Sequence, residues 1–335
     1  MKTAPDARRL AELIACASHA ESALILDVSP LSGGSVRRHW RVDATLRGGA
    51  GAERRAFVLR SNGATPLSMG LDLAQEFALL QVLHAAGLPV PPPVLFCGDP
   101  AVAGAPFHLT KLMPGTADPA ALVAAGPNDA LAEQLGRTLA ELHRIAPPRA
   151  DLAFLGAAQA DAALARIAEY RSRLDAMDEA RPAAEWGLRW LARHAPPPGA
   201  PVLCHGDFRT GNYLVEDYRL SCILDWEFSS WGDPGEDVGW FCSRCWRFGA
   251  RQREAGGIGT RAAFSRGYES VAGRGLDPSR LRYWETMAAL KWLVIALLQR
   301  NRCLVAGERS LDLALTGRRA AECEYELMRL VEEAG

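Results

Sequence analysis

The spacing of apolar and polar positions changes along the chain, from alternation in the first third to helical periods in most of the remainder. Between residues 22 and 59, short alternating runs (LILDV, HWRVDATL, RAFVLR) are separated by the glycine-rich stretches LSGGS and RGGAGAE, which predicts an antiparallel meander. Residues 71–86 (LDLAQEFALLQVLHAA) carry apolar side chains at helical spacing and stop at Gly87, just before the proline run PVPPP. VLFCGD and PFHLTKL then read as two further strands around a turn at 99–104. Beyond about residue 113 the chain turns alanine-rich and helical, with helices expected over 129–145, 161–173 and 184–194 and breaks at the prolines 147–148 and 196–198. Only 201–225 interrupts them with short strands (PVLCH, NYLVE, SCILD), and beyond Asp237 the chain is again mostly helical. The expectation is an α+β protein. A small antiparallel sheet with one main helix occupies 1–113, and a larger, mostly helical part occupies 114–335.

At 335 residues and 49% apolar composition the chain can bury a large core, and its length suits two bodies better than one. A formal net charge of -1 gives no global reason to expect nucleic acid or an anionic membrane as partner. The first twenty residues suit an amphipathic helix and lack the apolar core of a secretory signal. The longest apolar run, around 290–298, contains Lys291 and is too short to span a bilayer, so a cytoplasmic location is expected. Eight scattered cysteines predict reduced thiols. Cys242 and Cys245 form a C-x-x-C in an aromatic segment expected to be helical; with no second pair and no histidine at zinc spacing, packing is the expected role, and a redox or metal role is the alternative.

The chemistry is concentrated in HGDFRTGNYLVEDYRLSCILDWEFSSWGDPGEDVGW, residues 205–240. Phosphoryl transfer asks a protein for a carboxylate that orients or deprotonates the acceptor hydroxyl, and for hard oxygens that hold Mg²⁺ against the nucleotide phosphates. Asp207 suits the first task. Asn212, five positions on, and Asp225, at the end of the SCILD run, suit the second.

His205-Gly206-Asp207 followed by Asn212 resembles the HGDxxxxN loop of the aminoglycoside phosphotransferase and choline kinase families, itself similar to the HRDxxxxN of protein kinases. Asp225-Trp226-Glu227 stands where those families have their metal-binding Asp, and Gly232-Asp233-Pro234 with Asp237 resembles their GDPxxD segment. LSGGS is similar to their nucleotide loop, QEFALLQVL to the helix with the ion-pair Glu, and PFHLTKLMPG to the strand and hinge against which adenine packs. ELHRI resembles the end of the long first helix of the larger lobe. The overall pattern is similar to phosphotransferases found fused to, or encoded near, acyl-CoA dehydrogenases.

The resemblance implies a protein-kinase-like fold with a hinge near 110–115, ATP bound between two lobes, and Mg²⁺. It assigns Asp207 to catalysis and Asn212 and Asp225 to the metal. Nucleotide contacts fall to Ser32, Gly33, Gly34, Ser35, Arg60, Glu76, Lys111 and Met113. His205 is expected to hold backbone rather than move protons, and Asp237 to cap a helix or brace the loop. Glu227 reads equally as a residue behind the metal or as a solvated charge. The chain departs from the family at FVLR, which ends in Arg60 where the phosphate-contacting lysine usually stands; an arginine can still pair with Glu76. Arg244, Arg247, Arg251 and Arg253, interleaved with Trp240, Phe241, Trp246 and Phe248, read as a solvated helix face or as a clamp for an anionic substrate. The expected activity is a small-molecule kinase with an alcohol acceptor, an anionic hydroxy acid or its thioester being one candidate. A kinase-like module without turnover is the alternative.

Overall fold

The computed structural model describes residues 5–31, 37–49, 51–62, 70–177, 179–275, 277–305, 307 and 310–334. Ser32, Gly33, Gly34 and Ser35 lie outside the described residues. In chain order the elements begin with α1 (Ala7–Ala17), β1 (Ser22–Pro30), β2 (Arg37–Gly48), β3 (Gly51–Asn62), α2 (Leu73–Ala85), β4 (Pro93–Cys97), α3 (Pro100–Ala103) and β5 (Phe107–Lys111). They continue with α4 (Pro119–Ala124), α5 (Asp129–Leu142), α6 (Ala162–Asp175), α7 (Pro182–Arg193), β6 (Val202–Cys204), β7 (Tyr213–Glu216), β8 (Arg219–Ile223) and β9 (Ser230–Gly232). The chain ends with α8 (Pro234–Cys242), α9 (Arg261–Ala272), α10 (Pro278–Leu304), α11 (Leu311–Arg318) and α12 (Ala320–Ala334). It divides into two compact bodies: Met1–Thr116 with Ala150–Phe154 and Tyr213–Ser229, and Ala117–Arg149 with Leu155–Asn212 and Ser230–Gly335. The architecture is α+β, as the alternation and the helical periods imply.

The first body is built on an antiparallel sheet in the order β1-β2-β3-β5-β4. Strand side chains alternate between faces, and the alternation is what sorts apolar from charged here. Trp40, Val42, Ala44 and Leu46 of β2, Phe57 and Leu59 of β3, and Phe107 and Leu109 of β5 pack with Leu10 and Ile14 of α1 into one core. The residues between them face the other way. Arg60 and His108 are register partners, and on that face Arg60 meets Glu76 of α2 while His108 lies 5.9 Å, ring to ring, from Phe77. Helix α2 starts at Leu73, two residues inside the expected range, because Asp72 and Gln75 form a reciprocal capping box there. The expected turn at 99–104 contains the short helix α3, capped by Asp99 with Pro100 in its first turn and closed by Gly104 in the left-handed conformation. Four residues are too few to show a period.

The second body centres on α10, whose Trp284, Met287, Leu290, Leu293, Val294 and Leu297 pack with Leu188 and Leu191 of α7 and Leu327 of α12. Its 27 residues are apolar on several sides because helices cover it on several sides. Glycines set the closest approaches. A Cβ on Gly136 would stand 2.1 Å from the Phe264 carbonyl oxygen, and one on Gly267 would stand 1.9 Å from that of Glu133, so α5 and α9 touch backbone to backbone. The segment VGWFCSRCW does not form one helix: α8 stops at Cys242, and Ser243, with ψ 145°, leads into a 3-10 turn at Arg244–Trp246. No helix among the described residues is long and apolar enough to cross a membrane.

Gly267→Ala is expected to lower unfolding stability by about 1–3 kcal/mol despite alanine's better helix propensity, because the added methyl meets a carbonyl that cannot move without its helix. Urea denaturation measures this. A variant as stable as the parent would show that α5 and α9 can separate at no cost.

Candidate active site

In the second body the loop from Cys204 to Asn212 follows β6, which pairs with β9. Asp237 organises its start. The buried carboxylate accepts the N–H of His205 at 2.7 Å through Oδ2 and the N–H of Gly206 at 2.9 Å through Oδ1. His143, at the end of α5, donates from Nε2 to Asp237 Oδ2 at 3.2 Å, and its Nδ1 lies 2.8 Å from the Tyr268 hydroxyl. Burial pushes the Asp237 carboxyl up, but the His143 hydrogen bond and the donors from His205 outweigh it and leave it below its ordinary value. Asp237 is therefore a brace and not a cap; the cap of α8 is Asp233, in a capping box with Glu236. Cys204, His143 and Asp237 bring potential ligand atoms within 4.8 Å of one another, yet hydrogen bonds already engage them, the Cys204 thiol reaching the Asp233 carbonyl.

Past the brace, Gly206 takes φ 79°, a left-handed conformation that suits glycine, and the chain turns toward Asp207. The Asp207 N–H donates to His205 Nδ1 at 3.1 Å, so His205, fully buried, holds backbone. The Asp207 carboxylate gathers three donors: Asn212 Nδ2 at 2.7 Å, the Trp240 indole N–H at 2.7 Å, and Arg209 Nε at 3.1 Å. Asn212 Nδ2 also reaches the Asp207 carbonyl at 2.9 Å. The amide nitrogen of Asn212 is thus committed to Asp207, and its side-chain oxygen is the atom of a type that hard cations take. Arg209 lies over the Trp246 ring, 4.6 Å from its centroid.

In the first body a buried charge cluster surrounds Glu76. Its Oε2 lies 3.4 Å from Arg37 Nη1, 3.4 Å from Arg60 Nε and 3.8 Å from His108 Nε2. Burial raises the Glu76 carboxyl, but Arg60, then His108 and Arg37, pull it down to about 2. Arg60 Nη2 reaches Asp225 Oδ1 at 2.5 Å and Glu227 Oε2 at 3.4 Å, and Arg37 Nε donates to that same Glu227 oxygen at 2.6 Å. Glu227 is accordingly not a solvated charge. Burial and the neighbouring Asp225 raise it from its ordinary value against the pull of Arg60 and Arg37. Asp225 itself adopts φ 63°, ψ 66°, a conformation that costs a non-glycine residue about 1 kcal/mol or more. Lys111 ends β5 exposed, and Met113 follows it half-buried.

Arg37, His108 and Arg209 escaped the sequence reading. The period of β2, which puts odd-numbered residues opposite the core face, was the signal for Arg37. Nothing local marked His108. Three of the four arginines after the loop are spent on the protein itself: Arg247 donates to the Cys242 and Arg251 carbonyls, Arg253 to the Val123 carbonyl, and Arg244 pairs with Glu326. Burial pushes the Cys242 thiol up to about 12 and Cys245 higher still, which disfavours the thiolate that redox or zinc chemistry would need.

The sequence model of the phosphotransferase enzyme family matches residues 27–274, and the chain belongs to that family. Acyl-CoA dehydrogenase family member 10 of Mus musculus is 29% identical over 198 residues, which cover 57% of this chain but only 18% of the mouse protein. An aminoglycoside-phosphotransferase-like protein from Ralstonia eutropha shares the fold at TM-score 0.74 and 19% identity, over 97% of this chain and 98% of its own. Aminoglycoside phosphotransferase APH(4)-Ia, in a ternary complex with AMP-PNP and hygromycin B, matches at TM-score 0.61 and 17% identity over 97% and 98%. The fold is therefore the kinase-like one of these phosphotransferases.

Glu76→Gln would leave Arg37 and Arg60 buried against fewer charges and is expected to cost about 3–5 kcal/mol of stability at neutral pH. A carboxyl held at about 2, against an ordinary 4.5, contributes stability that is present above pH 4.5 and lost as pH falls from there toward 2. The gap between parent and variant, followed by denaturant unfolding, should narrow over that window. A gap independent of pH would contradict the charge cluster.

Proposed function

We propose that this protein is a Mg²⁺- and ATP-dependent kinase that passes the γ-phosphoryl group to a hydroxyl of a small molecule. The observation that carries this reading is the Asp207 carboxylate, fixed by Asn212, Trp240 and Arg209 at the end of a braced loop. Asp207 orients the acceptor hydroxyl and takes its proton as the oxygen attacks phosphorus. On the family resemblance Asn212 and Asp225 are assigned to Mg²⁺, an amide and a carboxylate oxygen being of the type that this hard cation takes. In the first body Glu76, Asp225 and Glu227 face Arg37 and Arg60. When bound, Mg²⁺ neutralises charge on the phosphates. Arg60 and Glu76 take the place of the family's lysine–glutamate pair, and Arg60 contacts phosphate through its planar head. Ser32, Gly33, Gly34, Ser35, Lys111 and Met113 are assigned to the nucleotide on the family resemblance.

The acceptor is a hydroxylated anion or a neutral alcohol. The groups against Asp207 are donors and a cation, and Lys291 contacts the preceding residue. A polycation would meet that setting unfavourably. The hydroxy acids and their thioesters are the first class to try, in keeping with the partial likeness to an acyl-CoA dehydrogenase family member.

Asp207→Asn is expected to cut phosphoryl transfer by about 10²–10⁴-fold while nucleotide binding persists. Product formation across a panel of hydroxy acids, their thioesters and neutral alcohols, with calorimetry for Mg-ATP binding, tests it. Binding of Mg-ATP with no phosphorylated product from any hydroxyl class would make the chain a nucleotide-binding module instead.

A further inference from the structure

Lys291 sits in the middle of α10, where Leu290, Leu293 and Val294 are all buried. An ammonium there is costly: burial pushes it below its ordinary value, and Asp207 is the foremost group acting in the other direction. Packing alone does not ask for a charge, since methionine has nearly the same length and would fill the space. What the ammonium touches explains it better. Nζ donates to the Gly206 carbonyl, and it lies 4.2 Å from the centroid of the Trp240 ring. Gly206 thereby has both backbone groups held, its N–H by Asp237 and its C=O by Lys291.

Helix α8 makes this possible. Asp237 and Trp240 are three residues apart, so one face of α8 presents both, the first to the loop backbone and the second to the Asp207 carboxylate. Two glycines let that helix lie close on α10. A Cβ on Gly235 would stand 2.1 Å from Trp284 Cδ1, and one on Gly239 would stand 2.6 Å from the Trp284 carbonyl carbon. Trp246 and Trp292, with ring centroids 5.1 and 6.1 Å from that of Trp240, fix the plane of the indole.

We propose that Lys291 and Trp240 are positioning residues for Asp207, acting in series: the ammonium holds the Gly206 carbonyl and the Trp240 face, and the indole N–H holds the carboxylate. A cation on the face of an indole draws density from the ring and makes its N–H a better donor, so the two contacts reinforce each other. The proposal rests on the reading of Asp207 as the base of the transfer.

Lys291→Met removes the charge and keeps the length; Trp240→Phe removes the N–H and keeps a ring. With an acceptor found in the panel, each is expected to lower kcat about 10–100-fold with the KM for ATP changed less than about twofold, since misplacement of a reacting group costs rate rather than nucleotide affinity. The double variant should lose little more than the worse single one, because both act on one carboxylate. Apart from turnover, the indole N–H resonance that vanishes in Trp240→Phe, in protein labelled with ¹⁵N at tryptophan, should shift in Lys291→Met and in Asp207→Asn. Wild-type kcat in both single variants, multiplying losses in the double variant, or an indole signal unmoved in Lys291→Met would each overturn the positioning role. An indole signal that moves in a protein that phosphorylates nothing would support the chain of contacts and sink the kinase reading instead.

Discussion

The Asp237 carboxylate, 1% exposed inside α8, determines the path of the loop that carries Asp207. A buried carboxylate is unfavourable unless its oxygens are met by donors, and here the His205 and Gly206 N–H groups and the His143 ring meet them. Dependence runs both ways. Without Asp237 the two N–H groups would be buried and unpaired at about 1–3 kcal/mol each, and without them the carboxylate would have to move or neutralise. The loop therefore inherits the rigidity of a helix, and α8 is itself anchored by the Asp233 capping box at its start and by glycine contacts with α10.

The first body solves a different problem, that of keeping several like charges on one sheet face. Period-2 alternation separates the aliphatic residues that pack on α1 from the arginines that face α2, so the charge cluster costs no core volume. Guanidinium groups suit this task. One planar head offers several donors, and Arg60 meets Glu76 through Nε while Nη2 meets Asp225 and Glu227.

Much of this was legible in the sequence, and the remainder was hidden for physical reasons. Apolar periods identified the sheet, α2, α5, α6 and α7, with ends off by a few residues where capping rather than period decides; Asp161, for instance, caps α6 from outside it. The HGDxxxxN spacing singled out Asp207 and Asn212, which the structure joins at 2.7 Å. Contacts between residues far apart in the chain were beyond reach. His143 and Asp237 are ninety-four positions apart and Lys291 and Gly206 eighty-five, and no local pattern pairs them. The aromatic and arginine alternation after Asp237 misled for a related reason: Ser243 breaks the helix that an uninterrupted period would need, and Arg247 and Arg253 turn back onto backbone carbonyls.

Arg60 departs from the family resemblance, and Arg37 makes the departure intelligible. A lysine at position 60 would bring one compact ammonium, adequate for a single glutamate. Here three carboxylates, Glu76, Asp225 and Glu227, converge on that region of the first body, and one ammonium could not satisfy them. Arg37 takes Glu227 at 2.6 Å and the Leu71 carbonyl at 2.6 Å, and it shares Glu76 with Arg60. The two arginines thus form a unit matched to three carboxylates. Exchanging Arg60 for lysine would therefore leave Glu227 chiefly to Arg37 and set a single ammonium against both Glu76 and Asp225.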